Sequence, residues 1–327
     1  MSDAVFARTP AKAGMYESFY LRAVSPTQPL GVWIRYTVHK RRGERPKGSI
    51  WCTVFDTREA APFMSKLTSE DLRAPADGWI AIADSKFGAG FADGACGPAR
   101  WSLRFRCEEP ELRHLPRPWM YRGPLPRTKL TTPAPAASFS GTLVIEDPGQ
   151  GLRTLELDDW HGMVGHNWGT QHAERWIWLH GIDFEEDRAA WLDVAIGRIK
   201  LAGMTTPWVA NGAICLGGRR HRLGGLGARG LRVHETPRSC SLVIPGEHGL
   251  SVTADVQTAE GALAGWSYTD PDGGSHDVVN CSIAQLALDV AGHDGAPRRL
   301  HTAHGGAYEL GMRERDHGIA IAPFPDG

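Results

Sequence analysis

Hydrophobic and polar positions along the chain fall into short runs in which Val, Ile, Thr and aromatic residues alternate with polar ones, and each run is closed by Gly, Pro, Asp or Asn. In the first half these runs cover 16–22, 31–38, 49–55, 79–83, 101–107 and 139–145. The second half repeats the pattern at 174–184, 190–199, 212–216, 231–235, 240–244, 250–256, 264–269 and 308–313. Only 69–72 hints at a helix, and the branched residues of 283–290 suit a strand as well as a helix. Many short strands without intervening helices predict an all-β chain of antiparallel sandwiches or closed barrels. Seven prolines between Pro110 and Pro135 keep that stretch extended and deprive it of ladder donors. It is the expected crossing between two β-domains, residues 1–150 and 151–327.

One segment differs in kind. Residues 158–181 hold four of the 12 tryptophans and four of the 14 histidines. Alternate side chains of a strand share a face, so Glu174, Trp176, Trp178 and His180 align opposite Arg175, Ile177 and Leu179. His166 and Trp168 share a side, as do Trp191, Asp193 and Ala195. If these strands are neighbours, their mixed faces line one aromatic cavity with two carboxylates and two imidazoles, as a pocket for an apolar ligand with a few polar groups requires. A carboxylic acid among indoles loses hydration of its charged form, so its pKa rises and it can deliver a proton near neutral pH. Indole faces then stabilise the cation that forms.

The Gly165-His166-Asn167-Trp168-Gly169 core, followed by Ala-Glu-Arg-Trp-Ile-Trp at 173–178, resembles the signature of the carotenoid 1,2-hydratase (hydroxyneurosporene synthase) family, which is related to tocopherol cyclases and lipocalin-like Diels-Alderases. Gly-Gly-Ala-Tyr-Glu-Leu-Gly at 305–311 is similar to that family's closing strand. The resemblance implies two lipocalin-like β-barrels or curved sandwiches side by side, no metal, and an active cavity at the signature strands. It also implies a role in water addition for His166, Trp168 and Asp193, while Trp191 stands where the family has a tyrosine. The expected mechanism has Asp193 as acid and His166 positioning or deprotonating water. Glu174 is the second carboxylate, and Trp168, Trp176, Trp178, His180 and Trp191 form the substrate-binding wall.

Composition narrows the partners. With 36 basic against 37 acidic side chains the net charge is -1, which gives no field to hold nucleic acid. No run approaches the roughly 20 apolar residues of a membrane helix, and no signal-like stretch opens the chain, so a cytoplasmic location is expected. The six cysteines form no C-x-x-C pair and are expected to be reduced and mostly buried. Gly225 to Gly230 matches G-x-G-x-x-G, but it lacks the strand-to-helix context of a dinucleotide site. Arg219, Arg220, His221 and Arg222 are expected at a solvated hairpin tip. His161, His166, His172 and His180 fit no compact metal spacing.

These readings converge on a cofactor-independent lyase or isomerase that hydrates or cyclises an unsaturated, isoprenoid or polyketide-like molecule. The alternative is a lipocalin-like carrier of such a ligand, which needs the cavity but not the acid and base.

Overall fold

The computed structural model describes residues 4–147, 151–201, 203–292 and 297–324. Two large antiparallel sheets contain nearly all the regular structure among these residues, a twelve-stranded one that curls into a nearly closed barrel and a ten-stranded half-barrel. The centre of the first sheet runs Lys47–Asp56, Leu30–Lys40, Met15–Val24, Gly151–Gly169, Thr128–Asp147, Ala99–Arg106. The centre of the second runs Val209–Leu216, Trp191–Arg198, Arg175–Gly181, Arg298–Met312, Ser275–Ala291. The all-β reading therefore holds. The helix expected at 69–72 does not form, since Phe63–Ser69 and Leu72–Arg73 are strands, and 283–290 lies within the strand Ser275–Ala291.

The proline-rich stretch does not carry the chain across. Pro133 and Pro135 lie inside the strand Thr128–Asp147, and its register with Gly151–Gly169 shifts between Thr131 and Ala134 and again between Ala134 and Ala137. Bulges there let the strand tolerate residues that cannot donate to the ladder. Gly151–Gly169 pairs with Met15–Val24, so the chain leaves the first sheet after Gly169 rather than near 150. Further upstream, His114 and Arg222 link the 110–127 stretch to the second sheet, through His114 Nδ1 to Asn211 O at 3.1 Å and Arg222 Nη2 to Arg113 O at 3.2 Å.

Each sheet encloses its own apolar core. Phe19, Leu21, Ile34, Ile50, Leu103 and Phe139 fill the barrel, while Ile177, Leu179, Val194, Leu242, Val252 and Leu310 fill the half-barrel. Strand alternation turns the intervening residues outward, and these outward faces pack on one another. Trp51 meets Trp266 edge-on at 4.9 Å, and Arg22, fully buried, donates from Nε and Nη2 to Ser282 O at 3.1 and 2.8 Å. The six cysteines are unpaired, and all but Cys107 are buried. No helix among the described residues is long and apolar enough to cross a membrane.

Candidate active site

A cavity of about 240 Å³ lies at the seam between the sheets and is lined from both. Tyr16, Tyr20 and Arg35 line it from the first sheet, and Trp176, Trp178 and Glu309 from the second. Register explains the grouping. Tyr20 lies opposite Arg35, and Trp178 opposite both Glu309 and Ala195, so the cavity residues of each sheet are cross-strand neighbours on one face. Glycines make room for the rings. A Cβ at Gly165 would come within 2.2 Å of the Tyr20 ring, and one at Gly311 within 2.1 Å of the Trp176 ring.

Of the eight residues expected to form the site, Trp176 and Trp178 line the cavity and the other six do not. His166 lies on the opposite face of its strand, stacked between Phe19 (4.1 Å) and Trp168 (4.5 Å), with Nε2 2.7 Å from Glu17 Oε1. Glu17 also accepts the backbone N–H groups of Val5 and Phe6, so this pair anchors the N-terminal turn. Trp168 continues that stack toward Tyr121, away from the cavity. Asn167, between them in the motif, is the residue that faces the cavity. Glu174 is held at 2.9 Å by the half-buried Arg313.

Asp193, Trp191 and His180 do share a face, as alternation predicts, but they lie behind the cavity wall. Asp193 accepts Trp178 Nε1–H at 3.0 Å and the Thr132 hydroxyl at 2.5 Å, with His114 Nε2 3.3 Å away. Burial pushes this carboxyl up, but the charge and hydrogen bond of His114, with His180 and Thr132, outweigh it and hold the pKa at about 2. The expected proton donor is thus a fixed carboxylate, held so by His114 from a segment remote in sequence. His180 donates from Nε2 to Pro135 O at 3.0 Å and accepts Arg22 Nη1–H at Nδ1, 2.8 Å away. Burial and Arg22 lower its pKa to about 4, so it is neutral. Trp191 is covered by the Arg220 guanidinium, 4.9 Å from its ring, which places Arg220 on the protein body rather than at a solvated tip.

The polar groups that do reach the cavity come from elsewhere. Glu309 accepts Trp176 Nε1–H at 2.9 Å and lies 3.4 Å from both Tyr268 Oη and Asn280 Nδ2. Its signal was the 305–311 motif. His172 lies stacked 3.9 Å from Tyr16 and 5.5 Å from Trp176. Its Nδ1 and backbone N both lie 2.7 Å from Asp270 Oδ1, which leaves Nε2 without a protein partner. Asp270 is distant in sequence, and only the pairing of Ala264–Thr269 with Ser275–Ala291 delivers it.

Among the described residues, His172, Asp270 and His276 form the one group whose donor atoms lie within 4.8 Å of one another, as a metal would require. The Arg313 guanidinium, 4.0 Å from Asp270 Oδ2, opposes a second cation there, and Asp270 already serves His172. Burial and the neighbouring His172 lower the His276 pKa to about 3. His161 pairs instead with Asp183 at 2.6 Å, so the four histidines of the signature segment do not converge.

No family model matches the chain. An uncharacterized protein of Mycobacterium tuberculosis (strain H37Rv), Rv0493c, is 24% identical over 95% of this chain and 90% of its own length. Among solved structures, CghA with Sch210972 superposes with a TM-score of 0.65 at 12% identity, covering 91% of this chain and 88% of that one. Kievitone hydratase from Nectria haematococca gives 0.52 at 8% identity, covering 95% and 92%. At these identities the likeness is one of fold. In fold, the chain is therefore a lipocalin-like barrel protein, nearly closed in its first sheet and half-closed in its second.

Proposed function

We propose that the protein is an enzyme that hydrates or cyclises an unsaturated lipophilic small molecule in the seam cavity. The observation that carries this reading is a hollow walled by Tyr16, Tyr20, Trp176 and Trp178 into which a carboxylate, Glu309, and an Asp270-oriented imidazole, His172, both project. A store of apolar ligand needs the rings alone. Paired acid and base groups at such a wall are the equipment of proton-transfer chemistry. The similarity in fold to a hydratase and to a protein solved with Sch210972 supports the same class.

In this reading His172, with Asp270 as counter-charge of its imidazolium, gives a proton to an unsaturated carbon. The indoles of Trp176 and Trp178 face the cation that results. Water adds to it and releases its proton to Glu309. In a cyclisation, a hydroxyl or alkene of the substrate takes the place of that water.

The test is incubation of the protein with lipophilic extracts and conjugated polyenes in ¹⁸O-labelled water, followed by mass spectrometry. A product carrying one labelled oxygen identifies a hydratase, and an isomer of unchanged mass identifies a cyclase. Glu309→Gln and His172→Gln should each lower turnover by about 100-fold or more. A ligand that binds and is recovered unaltered would leave the protein a carrier.

A further inference from the structure

Arg35 is a buried cation without a buried anion. It is 5% exposed and lies on the cavity wall, between Tyr20 on one neighbouring strand and Trp51 on the other. Its Nε and Nη2 donate to the Ser18 hydroxyl at 3.0 and 2.7 Å. The guanidinium has five donors, so three remain without a protein acceptor among the described residues. Its other neighbours are ring faces, with Cζ 4.1 Å from the Tyr268 centroid, 5.8 Å from Trp51 and 6.0 Å from Trp33. Cation–π contact offsets part of the desolvation of such a group, but it satisfies none of the spare N–H donors.

Beside Arg35, Tyr20 also lines the cavity, and its hydroxyl has no hydrogen-bond acceptor among the described residues. Glu309, the carboxylate on the opposite wall, is occupied by Trp176, Tyr268 and Asn280 and makes no ion pair with Arg35. The cavity thus offers spare donors from Arg35 and Tyr20 and, across the Tyr268 ring that touches both, the carboxyl group of Glu309.

We infer that the ligand of this cavity is an unsaturated lipophilic acid, whose planar two-oxygen anion, a carboxylate or an ionised β-dicarbonyl, docks on Arg35 with Tyr20 donating a further hydrogen bond. The inference rests on the cavity proposed above as the site of reaction, and it assigns the charge and the orientation of the substrate. The apolar body then lies along Trp176 and Trp178, with its reacting carbon toward Glu309 and His172.

The probes are parinaric acid, its methyl ester, and 2-dodecanoylcyclohexane-1,3-dione, titrated against the full-length protein by fluorescence and calorimetry at neutral pH. The acid should bind at least about tenfold more tightly than the ester, as a charge-assisted hydrogen bond in an apolar site requires. Arg35→Met should erase that preference while retaining affinity for the ester, and Arg35→Lys should keep part of it. Tighter binding of the dione than of parinaric acid would assign the anion as a β-dicarbonyl, and the reverse as a carboxylate. Equal affinity of acid and ester in the native protein would overturn the inference even if the labelled-water assay shows turnover. Binding of none of the three would overturn it too, and turnover in that assay would then preserve the reading of the reaction alone. If Arg35→Met does not fold, the acid-to-ester ratio in the native protein and in Arg35→Lys decides.

Discussion

At the scale of single residues, the site depends on groups that are small or fixed as much as on groups that react. Gly165 gives the Tyr20 ring its place, with any Cβ there 2.2 Å from Cζ. Gly165→Ala is therefore expected to cost about 1–3 kcal/mol by overpacking and to weaken cavity binding, as thermal melts and titrations would record. Asp193 is held by His114, Thr132 and Trp178 in full burial, so Asp193→Ala should destabilise the fold by about 3–5 kcal/mol. Urea denaturation separates that loss from the loss of turnover without unfolding expected for Glu309→Gln. Alternation in the sequence correctly grouped Trp176, Trp178 and His180 along one strand and Asp193 with Trp191 along the next, and register sets both groups on one face of the sheet. Which of these reach the cavity was not legible, because that depends on the reach of each strand across the sheet. The polar partners that decide charge, His114 beside Asp193 and Asp270 beside His172, come from remote segments that no local pattern connects.

At the scale of elements, strand positions were legible and sheet membership was not. The runs near 16–22, 31–38 and 49–55 became the core of the first sheet, since period-two patterning is a local property. The signature segment reads as one unit, yet it is divided between sheets, with His166 and Trp168 in the first and Trp176 and Trp178 in the second. Pairing with Met15–Val24 turned the His166 face toward Phe19 and Glu17, a choice made by long-range register. The same geometry predicts that His166→Ala should leave cavity binding nearly unchanged and free the N-terminal turn. Faster amide exchange at Val5 and Phe6, whose N–H groups Glu17 accepts, would report that release.

At the scale of the whole molecule, the seam is electrostatically demanding. His180 and His276 have pKa values of about 4 and about 3 in the fold against an ordinary 6.5, so the unfolded chain binds more protons between these values and stability rises with pH. From pH 6.5 down to about 4 the two histidines should steepen the loss of stability toward roughly 2.7 kcal/mol per pH unit. Asp193, lowered from 3.8 to about 2, acts in the same direction, its contribution being lost as pH falls through that interval. Denaturation measured across pH 4 to 8 checks the slope, and a flat profile would contradict the buried neutral histidines. The all-β class and the lipocalin-like fold were legible from strand pattern and motif.

Because the hollow is lined from both sheets, its walls are assembled from residues as far apart in sequence as Tyr16 and Glu309. A growing polypeptide on the ribosome would acquire its first barrel, and much of its second, long before it could hold a ligand. Competence arrives only when the strand Arg298–Met312 docks. Proteolysis or truncation that spares most of the structure would still silence the protein, and a bound small molecule would act as a late fastener joining the two halves.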